Sequence, residues 1–464
     1  MSQAINKFAF DHIVESASID EFAENLHQAT SAGNVIERID IDRTDVDNFA
    51  AVAVKLMQRR QWLVHANPLD HAFSALHVFL VGRRFASKFS PTVFNVTTKR
   101  FELEIIDDPS QPARIIESEG IGEYIKQSPW EEACWDTDEE ELLLHLHAAH
   151  LRAFLDAGGF DPCEYHLYHG GIAALAGLSA HIHAPDFAFL TDPTCAIYTP
   201  TSASEIKTFI ADWRKLTPIQ RATSFKVAAL APPPERRALL SNDDFTSMVS
   251  VRAGAPVAVF MGAPFTALAA TFVKRPDLAS RVVLVSCMSG AWDGGQNLLG
   301  ACFNNVVDYN ATKATINLFP KGRFLMVPTE ACKMGPFSIS AEQVALLPAG
   351  SPTGEARRSA LSGALEQWTE LKRGVQPLFD LVPLLPIQVL ARHAEIVRAR
   401  VVFGTNRFAL GTRYQDIGMT LESDGAERLE GASQFPVGGI FALERVFAPE
   451  CRTDFIKLIE NTFA

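Results

Sequence analysis

The chain has 464 residues, of which 47% are hydrophobic and 21% charged, and its formal net charge is −12. This composition excludes a disordered or fibrous protein, and the acidic balance disfavours binding to a nucleic-acid polymer. We expect a cytoplasmic protein without a membrane partner, because no apolar stretch is long enough to span a bilayer, the N-terminus lacks a signal-peptide pattern, and the seven cysteines form no CxxC pair.

The predicted elements alternate between apolar strands and helices. Residues 1–33 are predicted to form an N-terminal helical extension, in which Ser18 and Glu21 have the spacing of a capping box. Strands alternating with helices predict an α/β fold with a mostly parallel, doubly wound sheet, in which ligands bind beyond the carboxyl ends of the strands. Compact apolar runs predict strands at 34–42, 77–82, 257–261, 282–286 and 323–327.

The remaining chain divides into a main domain and two additions. Residues 34–403 are predicted to form the α/β domain, interrupted at about 102–157 by an acidic insertion. The acidic stretch is typical of a solvated insertion, with a cation-binding face as the alternative. Residues 404–464 are predicted to be a C-terminal addition that packs on the same domain. We expect the additions to cover the site or an interface within a homo-oligomer.

The strongest local signal is the acidic run between the first predicted strand and the next helix. Its four carboxylates, at Asp40, Asp42, Asp45 and Asp47, fall within eight positions. Carboxylates this close repel one another unless a cation or water compensates them, and hard cations such as calcium bind such oxygens. The run does not have the spacing of an EF-hand. A solvated turn that caps the helix N-terminus is the alternative.

Five further segments extend this pattern in a fixed order. The spacing Asp40-x-Asp42-x4-Asp47 is similar to the opening motif of the inosine–uridine-type nucleoside hydrolase family, and later segments resemble that family's later motifs across roughly residues 34–90 and 255–400. The later segments are Gly262–Ala269, Arg281–Ala291, Cys302–Asn304 with Asp308, Phe324–Pro328 and Pro377–Pro383.

The resemblance implies an α/β enzyme that binds Ca²⁺ and hydrolyses N-ribosidic bonds of a small-molecule substrate. It implies carboxylate ligands from Asp42, Asp47 and Asp380, and a backbone carbonyl ligand from Thr266. Asp42 would also take the proton of the attacking water. The remaining implied residues are His169, before a glycine pair, in a catalytic role, and Asn304 with Gln296 or Asn297 as partners of the sugar hydroxyls.

Several positions depart from the family pattern. Val46 replaces an aspartate and Cys302 a glutamate that would contact the sugar, while Phe379 replaces a histidine before the last aspartate. Cys302 is predicted to be a small buried side chain, with a reactive thiol as the alternative. The altered loop also leaves open a register in which Asp45 or Asn48 is a ligand.

The sequence therefore predicts calcium-dependent hydrolysis of an N-glycosidic bond in a nucleoside-like or modified small molecule. The alternative is a repurposed member of the fold, which catalyses another reaction on a specialised metabolite or only binds a ligand. Because several sugar-binding residues of the family are replaced, we expect ordinary ribonucleosides to bind less well. Each lost hydrogen bond to a buried hydroxyl costs roughly 1–3 kcal/mol of binding free energy.

Overall fold

A computed structural model describes the main body of the chain. The described residues are 2–42, 46–62, 75–84, 93–95, 100–102, 144, 148, 151–152, 155–156, 158–174, 239–292, 302, 304–305, 308–319, 323–333, 336–372, 377–403, 407–410, 413–416, 419–423, 439–446 and 450–464. Most of the predicted acidic insertion, together with Gln296 and Asn297, lies outside them.

The helices surround a central sheet. The N-terminal extension consists of two helices, and the second begins at Ser18, whose hydroxyl accepts from the Glu21 amide at 3.1 Å. The α-helices are α1 (Ser2–Glu15), α2 (Ile19–Ser31), α3 (Val46–Trp62), α4 (Asn242–Val251), α5 (Thr266–Phe272), α6 (Pro276–Ala279), α7 (Tyr309–Leu318), α8 (Thr329–Lys333), α9 (Ala341–Ala345), α10 (Pro352–Lys372), α11 (Ile387–His393) and α12 (Glu450–Glu460). Short 3₁₀-helices occupy Phe379–Leu384 and Asn461–Phe463.

The strands confirm the predicted α/β fold. The nine-stranded sheet has the order β12-β9-β13-β8-β7-β6-β1-β2-β5, and the five predicted strands are neighbours within it, at slightly different bounds. The strands are β1 (Ile36–Asp42), β2 (Leu76–Arg84), β3 (Val93–Asn95), β4 (Arg100–Glu102), β5 (Tyr165–Ala174), β6 (Val257–Met261), β7 (Val282–Met288), β8 (Arg323–Val327), β9 (Ala394–Phe403), β10 (Arg407–Leu410), β11 (Arg413–Asp416), β12 (Met419–Ser423) and β13 (Gly439–Val446).

The sheet reverses its winding direction between β1 and β6. From β1 the chain proceeds through β2 to β5 at one side, and then returns to β6 and continues outward through β7 and β8. After β9 and β12 form the far edge, β13 inserts between β8 and β9. All these pairings are parallel, whereas β9 pairs antiparallel with both β13 and β12. In doubly wound sheets such a reversal opens a crevice at the carboxyl ends of the two strands, where ligands bind.

The two faces of the sheet carry separate apolar cores. Side chains that alternate along a strand point to opposite faces, and Ile39 and Ile41 of β1 belong to one core while Ile36 belongs to the other. The first core lies under α2, α3 and α10, and the second lies under α4 and α5. The sheet is therefore covered on both sides, as a parallel sheet requires.

Strand β1 also buries charges on both faces. On one face Arg38 forms a bidentate pair with Asp40, at 2.5 and 2.8 Å, and both side chains are fully buried. On the other face Glu37 forms ion pairs with Lys55, at 2.6 Å, and with Arg59, both on α3. Each buried charge in the middle of the strand thus has an opposite charge beside it.

The domain boundaries remain predictions. The predicted boundary at 403/404 falls between β9 and β12, which pair with each other, and β13 pairs with both β8 and β9. Residues of the C-terminal addition therefore take part in the same sheet as the α/β domain. Within the part of the chain that the structure describes, no helix combines the length and the apolar character that a membrane crossing requires.

Candidate functional site

The candidate site lies at the winding reversal between β1 and β6. Asp42 is the last residue of β1, and the Gly262 amide after β6 donates to the Asp40 carbonyl at 2.9 Å. This hydrogen bond continues the ladder beyond β6 and holds its following loop beside the end of β1. The position is the one where the fold predicts a ligand.

The acidic run of the sequence separates into three different environments. Asp40 belongs to the strand and is paired with Arg38, so it takes no part in the loop. Asp42 ends the strand, and the Asn48 side-chain amide donates to its carbonyl at 2.6 Å. Asp47 is in the first turn of α3, where the helix dipole favours a negative charge. Asp45 lies outside the described residues, as does the side chain of Val46.

Asp47 and Asp380 come together although 333 positions separate them. The Asp380 amide donates to Asp47 Oδ2 at 3.3 Å, and both side chains are buried, with 4% and 8% exposure. Asp380 is in the 3₁₀-helix Phe379–Leu384, and its carboxylate lies directly against Gly262. A Cβ atom at Gly262 would overlap that carboxylate, so glycine is required there.

Thr266 and the β5 glycines form another side of the site. Thr266 is the first residue of α5, and its hydroxyl donates to Asp308 Oδ2 at 2.7 Å. Asp308 in turn caps α7 by accepting from the Ala311 amide at 3.1 Å. Gly171 approaches Thr266, whose methyl group would be 3.5 Å from a Cβ at Gly171. The loop after β6 is therefore tied to β5 and to α7.

His169 is half-buried near the end of β5. Its Nδ1 accepts a hydrogen bond from the Gly171 amide at 3.0 Å. Gly171 adopts a left-handed conformation with φ of +89°, which a glycine accommodates without strain. Since Nδ1 is the acceptor, a proton on this ring belongs on Nε2.

Two adjacent asparagines connect the loops at the ends of β6 and β7. The Asn304 amide nitrogen donates to the carbonyls of Gly262 and Met288, at 3.2 and 3.3 Å. Asn305 Oδ1 accepts from the Gly290 amide at 2.8 Å. Asn304 therefore borders the loop that carries Gly262, and Asn305 fixes the next loop.

Cys302 is fully buried, and burial raises the pKa of its thiol to about 11. The thiol is protonated near neutral pH, which favours the predicted buried side chain over a reactive nucleophile.

Cys332 of α8, which the sequence analysis did not single out, is also buried. Burial and the charges of Asp380 and Asp47 raise its pKa. Phe379 is half-buried, and its carbonyl lies 3.9 Å from Cys332 Sγ.

Glu330 is an acidic side chain that the sequence analysis missed. It follows β8 on α8, and both of its carboxylate oxygens are buried without a hydrogen-bond partner in the described structure. Its charge contributes to the raised pKa of Cys332, which places it near the same cluster. The signal in the sequence was its position two residues after the Pro328 that ends a predicted strand, at the edge where ligands bind.

The chemistry of these donors suits a hard cation, but their arrangement is incomplete. Buried carboxylate oxygens at Glu330 and the meeting of Asp47 with Asp380 are the donor type that calcium prefers. However, across the described residues no three Asp, Glu, His or Cys side chains are grouped closely enough to hold a metal ion. Of the predicted carboxylate ligands, Asp47 and Asp380 are thus in contact, but no group of three metal-binding side chains is formed among the described residues.

Comparison with known proteins gave structural similarities alone. No family model matches the chain, and no curated protein matches its sequence. A plant nucleoside hydrolase is 12% identical with a TM-score of 0.49, covering 92% of this chain and 98% of its own. A purine-preferring ribonucleoside hydrolase from Gardnerella vaginalis is 13% identical with a TM-score of 0.47, at the same coverage.

A third similar structure is an inosine-uridine preferring nucleoside hydrolase from Bacillus anthracis. It is 9% identical with a TM-score of 0.46, and the match covers 91% of this chain and 98% of that protein. With TM-scores below 0.5, these similarities do not by themselves assign the chain to a family or give it an activity.

Proposed function

We propose that the protein catalyses calcium-dependent hydrolysis of an N-glycosidic bond in a nucleoside-like or modified small molecule. The observation that carries the proposal is the meeting of Asp47 and Asp380 against Gly262 at the winding reversal of the sheet. These residues belong to three of the segments whose sequence resembles nucleoside hydrolase motifs. A shared role in one site explains why acidic residues so distant in sequence are buried next to each other.

In the proposed reaction, Asp42 accepts the proton of the attacking water at one carboxylate oxygen. Asp42, Asp47 and Asp380, with the Thr266 carbonyl, are the proposed calcium ligands. Calcium, when bound, would lower the pKa of a coordinated water and orient the sugar diol. Cleavage of a glycosidic bond has a transition state with positive charge on the sugar, which neighbouring carboxylates stabilise.

His169 is proposed to donate a hydrogen bond to the leaving group. Because its Nδ1 accepts from the Gly171 amide, the neutral ring carries its hydrogen on Nε2, which is therefore the donor atom. Gly171, two residues after this histidine, lies next to Thr266, so the end of β5 reaches the edge of the sheet that carries a proposed ligand.

The substrate is proposed to differ from ordinary ribonucleosides. The thiol of Cys302 is buried and protonated, and it offers a sugar hydroxyl a much weaker hydrogen bond than a carboxylate does. Phe379 adds an aromatic ring next to Asp380 where the resembled family has a histidine. Asn304 is the described amide proposed to contact the sugar, and Gln296 or Asn297 would supply the second.

The second candidate function is ligand binding, or another reaction, by a repurposed protein. The favouring observation is that no group of three metal-binding side chains has formed among the described residues, although Asp42, Asp47 and Asp380 are all described. Such a protein would retain the crevice and its polar loops while losing the geometry for hydrolysis.

A hydrolysis assay separates the two functions. We would follow release of the nucleobase or aglycone from a panel of nucleosides and related N-glycosides, with calcium and with a chelator. Wild-type protein is expected to release product only with calcium, and Asp42→Asn is expected to lower the rate by at least about 100-fold, which is the usual contribution of a general base. The matched control is Asp20→Asn, at an exposed acid on α2, which should keep the wild-type rate.

Product release that is equally fast in Asp42→Asn, or that resists chelation, would contradict the proposal. Binding of a panel compound without any turnover would favour the second candidate.

A further inference from the structure

A cavity lies inside the fold, and none of the candidate-site acids lines it. It encloses about 300 Å³ between one face of the sheet and the helices α2, α3 and α11. Its lining is mainly apolar and includes Ala23 of α2, Ala258 and Leu284 of the sheet, and Leu384 of the 3₁₀-helix. This volume is at the lower end of the range of about 300–1,000 Å³ found for small-molecule pockets.

One wall of the cavity carries an unequal set of buried charges. Glu37 and Lys55 line the cavity, with exposures of 2% and 0%, and Glu37 also accepts from Arg59. The cluster therefore has two cations for one carboxylate. In the described part of the chain, neither cation pairs with a second carboxylate. Because both cations share Glu37, the buried cluster keeps a net positive charge, which is costly and which an anion in the cavity would compensate.

Within this cluster, the Lys55 ammonium group is the cation that lines the cavity. Its Nζ forms an ion pair with Glu37 Oε1 at 2.6 Å, and it lies 3.9 Å from the centre of the Phe260 ring and 4.9 Å from that of Trp62. An ammonium has three hydrogens to donate. Burial lowers the pKa of Lys55 although Glu37 opposes the effect. A carboxylate beside Lys55 would favour its charged form.

The cavity has an opening at the ends of α2 and α3. His27 is exposed and lines the cavity, and its ring meets the half-buried Trp62 edge-on at 5.4 Å between centroids. Gln388 of α11 is also half-buried at the lining. A small molecule thus has access from solvent through a polar and aromatic rim to an apolar interior.

We propose that this cavity binds a small amphipathic monocarboxylate, with its carboxylate on Lys55 and its hydrocarbon chain among the apolar side chains. The cavity differs from the candidate hydrolytic site in its lining, although Leu384 belongs to the same 3₁₀-helix as Asp380. Glu37 is near the start of β1 and Asp42 at its end, about 16 Å apart at the rise of a strand. The proposal does not depend on the proposed hydrolase activity.

The test is calorimetric titration of the full chain with octanoate and with octan-1-ol, which has the same chain length but no charge. Wild type is expected to bind one octanoate, and octan-1-ol at least about 10-fold more weakly, because a charge-assisted hydrogen bond is lost. Lys55→Met should weaken octanoate binding by about 10-fold or more and leave octan-1-ol unchanged. Lys457→Met, at an exposed lysine on α12, should bind both compounds as wild type does.

A second variant tests the cavity independently of any folding defect in Lys55→Met. Ala23→Leu fills the cavity from α2 while leaving Glu37, Lys55 and Arg59 in place, and it should lose binding of both compounds. Equal affinity of wild type for octanoate and octan-1-ol would overturn the proposal in favour of a site for neutral apolar molecules. Absence of octanoate binding to wild type, or unchanged octanoate binding by Lys55→Met or Ala23→Leu, would overturn it outright.

Discussion

Buried charges in the middle of β1 lie next to opposite charges, whereas those at its carboxyl end are acids. In the middle, Asp40 has Arg38 as a bidentate partner, and Arg38 also lies over the Phe79 ring at 3.6 Å from its centre. At the end of the strand, the Asp47 carboxylate faces the segment that carries Asp380, and Glu330 has buried oxygens without a described hydrogen-bond partner.

We interpret the difference as one between residues that hold the fold and residues that we propose bind a ligand. A buried charge next to its opposite is compensated within the protein, and removing one partner is costly. Acidic groups that meet one another are a cost to folding unless a ligand compensates them. We therefore expect substitutions in the middle of β1 to change stability, and substitutions at its end to change function.

The largest expected effect is on stability, at Asp40. Asp40→Ala leaves Arg38 buried without its counter-charge, and it should lower the free energy of unfolding by about 3–5 kcal/mol. Urea unfolding monitored by circular dichroism measures the change. The control is the double variant Arg38→Met/Asp40→Leu, which removes both charges and should recover much of the loss. A small effect of Asp40→Ala alone would show that the pair is not needed for compensation.

The second prediction concerns the neutral histidine beside this pair. His77 of β2 is opposite Arg38 in the sheet register, and its Nδ1 lies 3.0 Å from the Tyr168 hydroxyl. Burial lowers the pKa of His77 well below its ordinary 6.5. The unfolded chain therefore binds a proton that the folded chain does not, so this residue costs stability as the pH falls below that value.

The measurement is the urea midpoint at pH values from about 7.5 to about 5.5, for wild type and His77→Phe. Wild type should lose more stability than the variant on acidification, since the other titrating groups are common to both. Parallel pH profiles would remove His77 as a source of acid sensitivity.

A smaller effect is expected from the side chain of Thr266. Thr266→Val removes the hydroxyl that donates to Asp308 and should cost about 1 kcal/mol of unfolding free energy. It should leave calcium affinity unchanged, because the proposed ligand is the backbone carbonyl. Calcium titration of the variant checks this, and a large loss of affinity would mean that the hydroxyl or the Asp308 contact takes part in binding.

The smallest expected stability effect is at Asp380. Asp380→Asn keeps the shape of the side chain and the amide that donates to Asp47, while removing one of the acidic charges at the strand end. Without calcium, its unfolding free energy should stay within about 1 kcal/mol of wild type or rise slightly. A loss as large as that expected for Asp40→Ala would erase the contrast between the two regions of β1.

The sequence predicted the sheet better than the partners of its charged residues. The apolar runs located all five predicted strands, because buried parallel strands are apolar on both faces. The predicted strand 34–42 already included Asp40, but the four acids were interpreted as one group, whereas Asp40 pairs with Arg38 two positions earlier, on the same face. That spacing was visible in the sequence.

Contacts between distant segments were less accessible to sequence reasoning. The resemblance to nucleoside hydrolase motifs placed Asp47 and Asp380 in one site, and the structure brings them together, but no spacing rule joins residues 333 positions apart. Glu330 was missed because a lone acid on a short helix has no pattern of its own. The pairing of Glu37 with Lys55 depends on how α3 crosses β1, which local periodicity does not encode.

Equilibrium dialysis against radioactive calcium tests the central claim most directly, namely that acids at the end of β1 are gathered for one cation. Wild type should bind one calcium ion per chain, Asp47→Asn should lose that binding, and the exposed control Asp20→Asn should retain it. Absence of calcium binding by wild type, or equal binding by wild type and Asp47→Asn, would contradict the account.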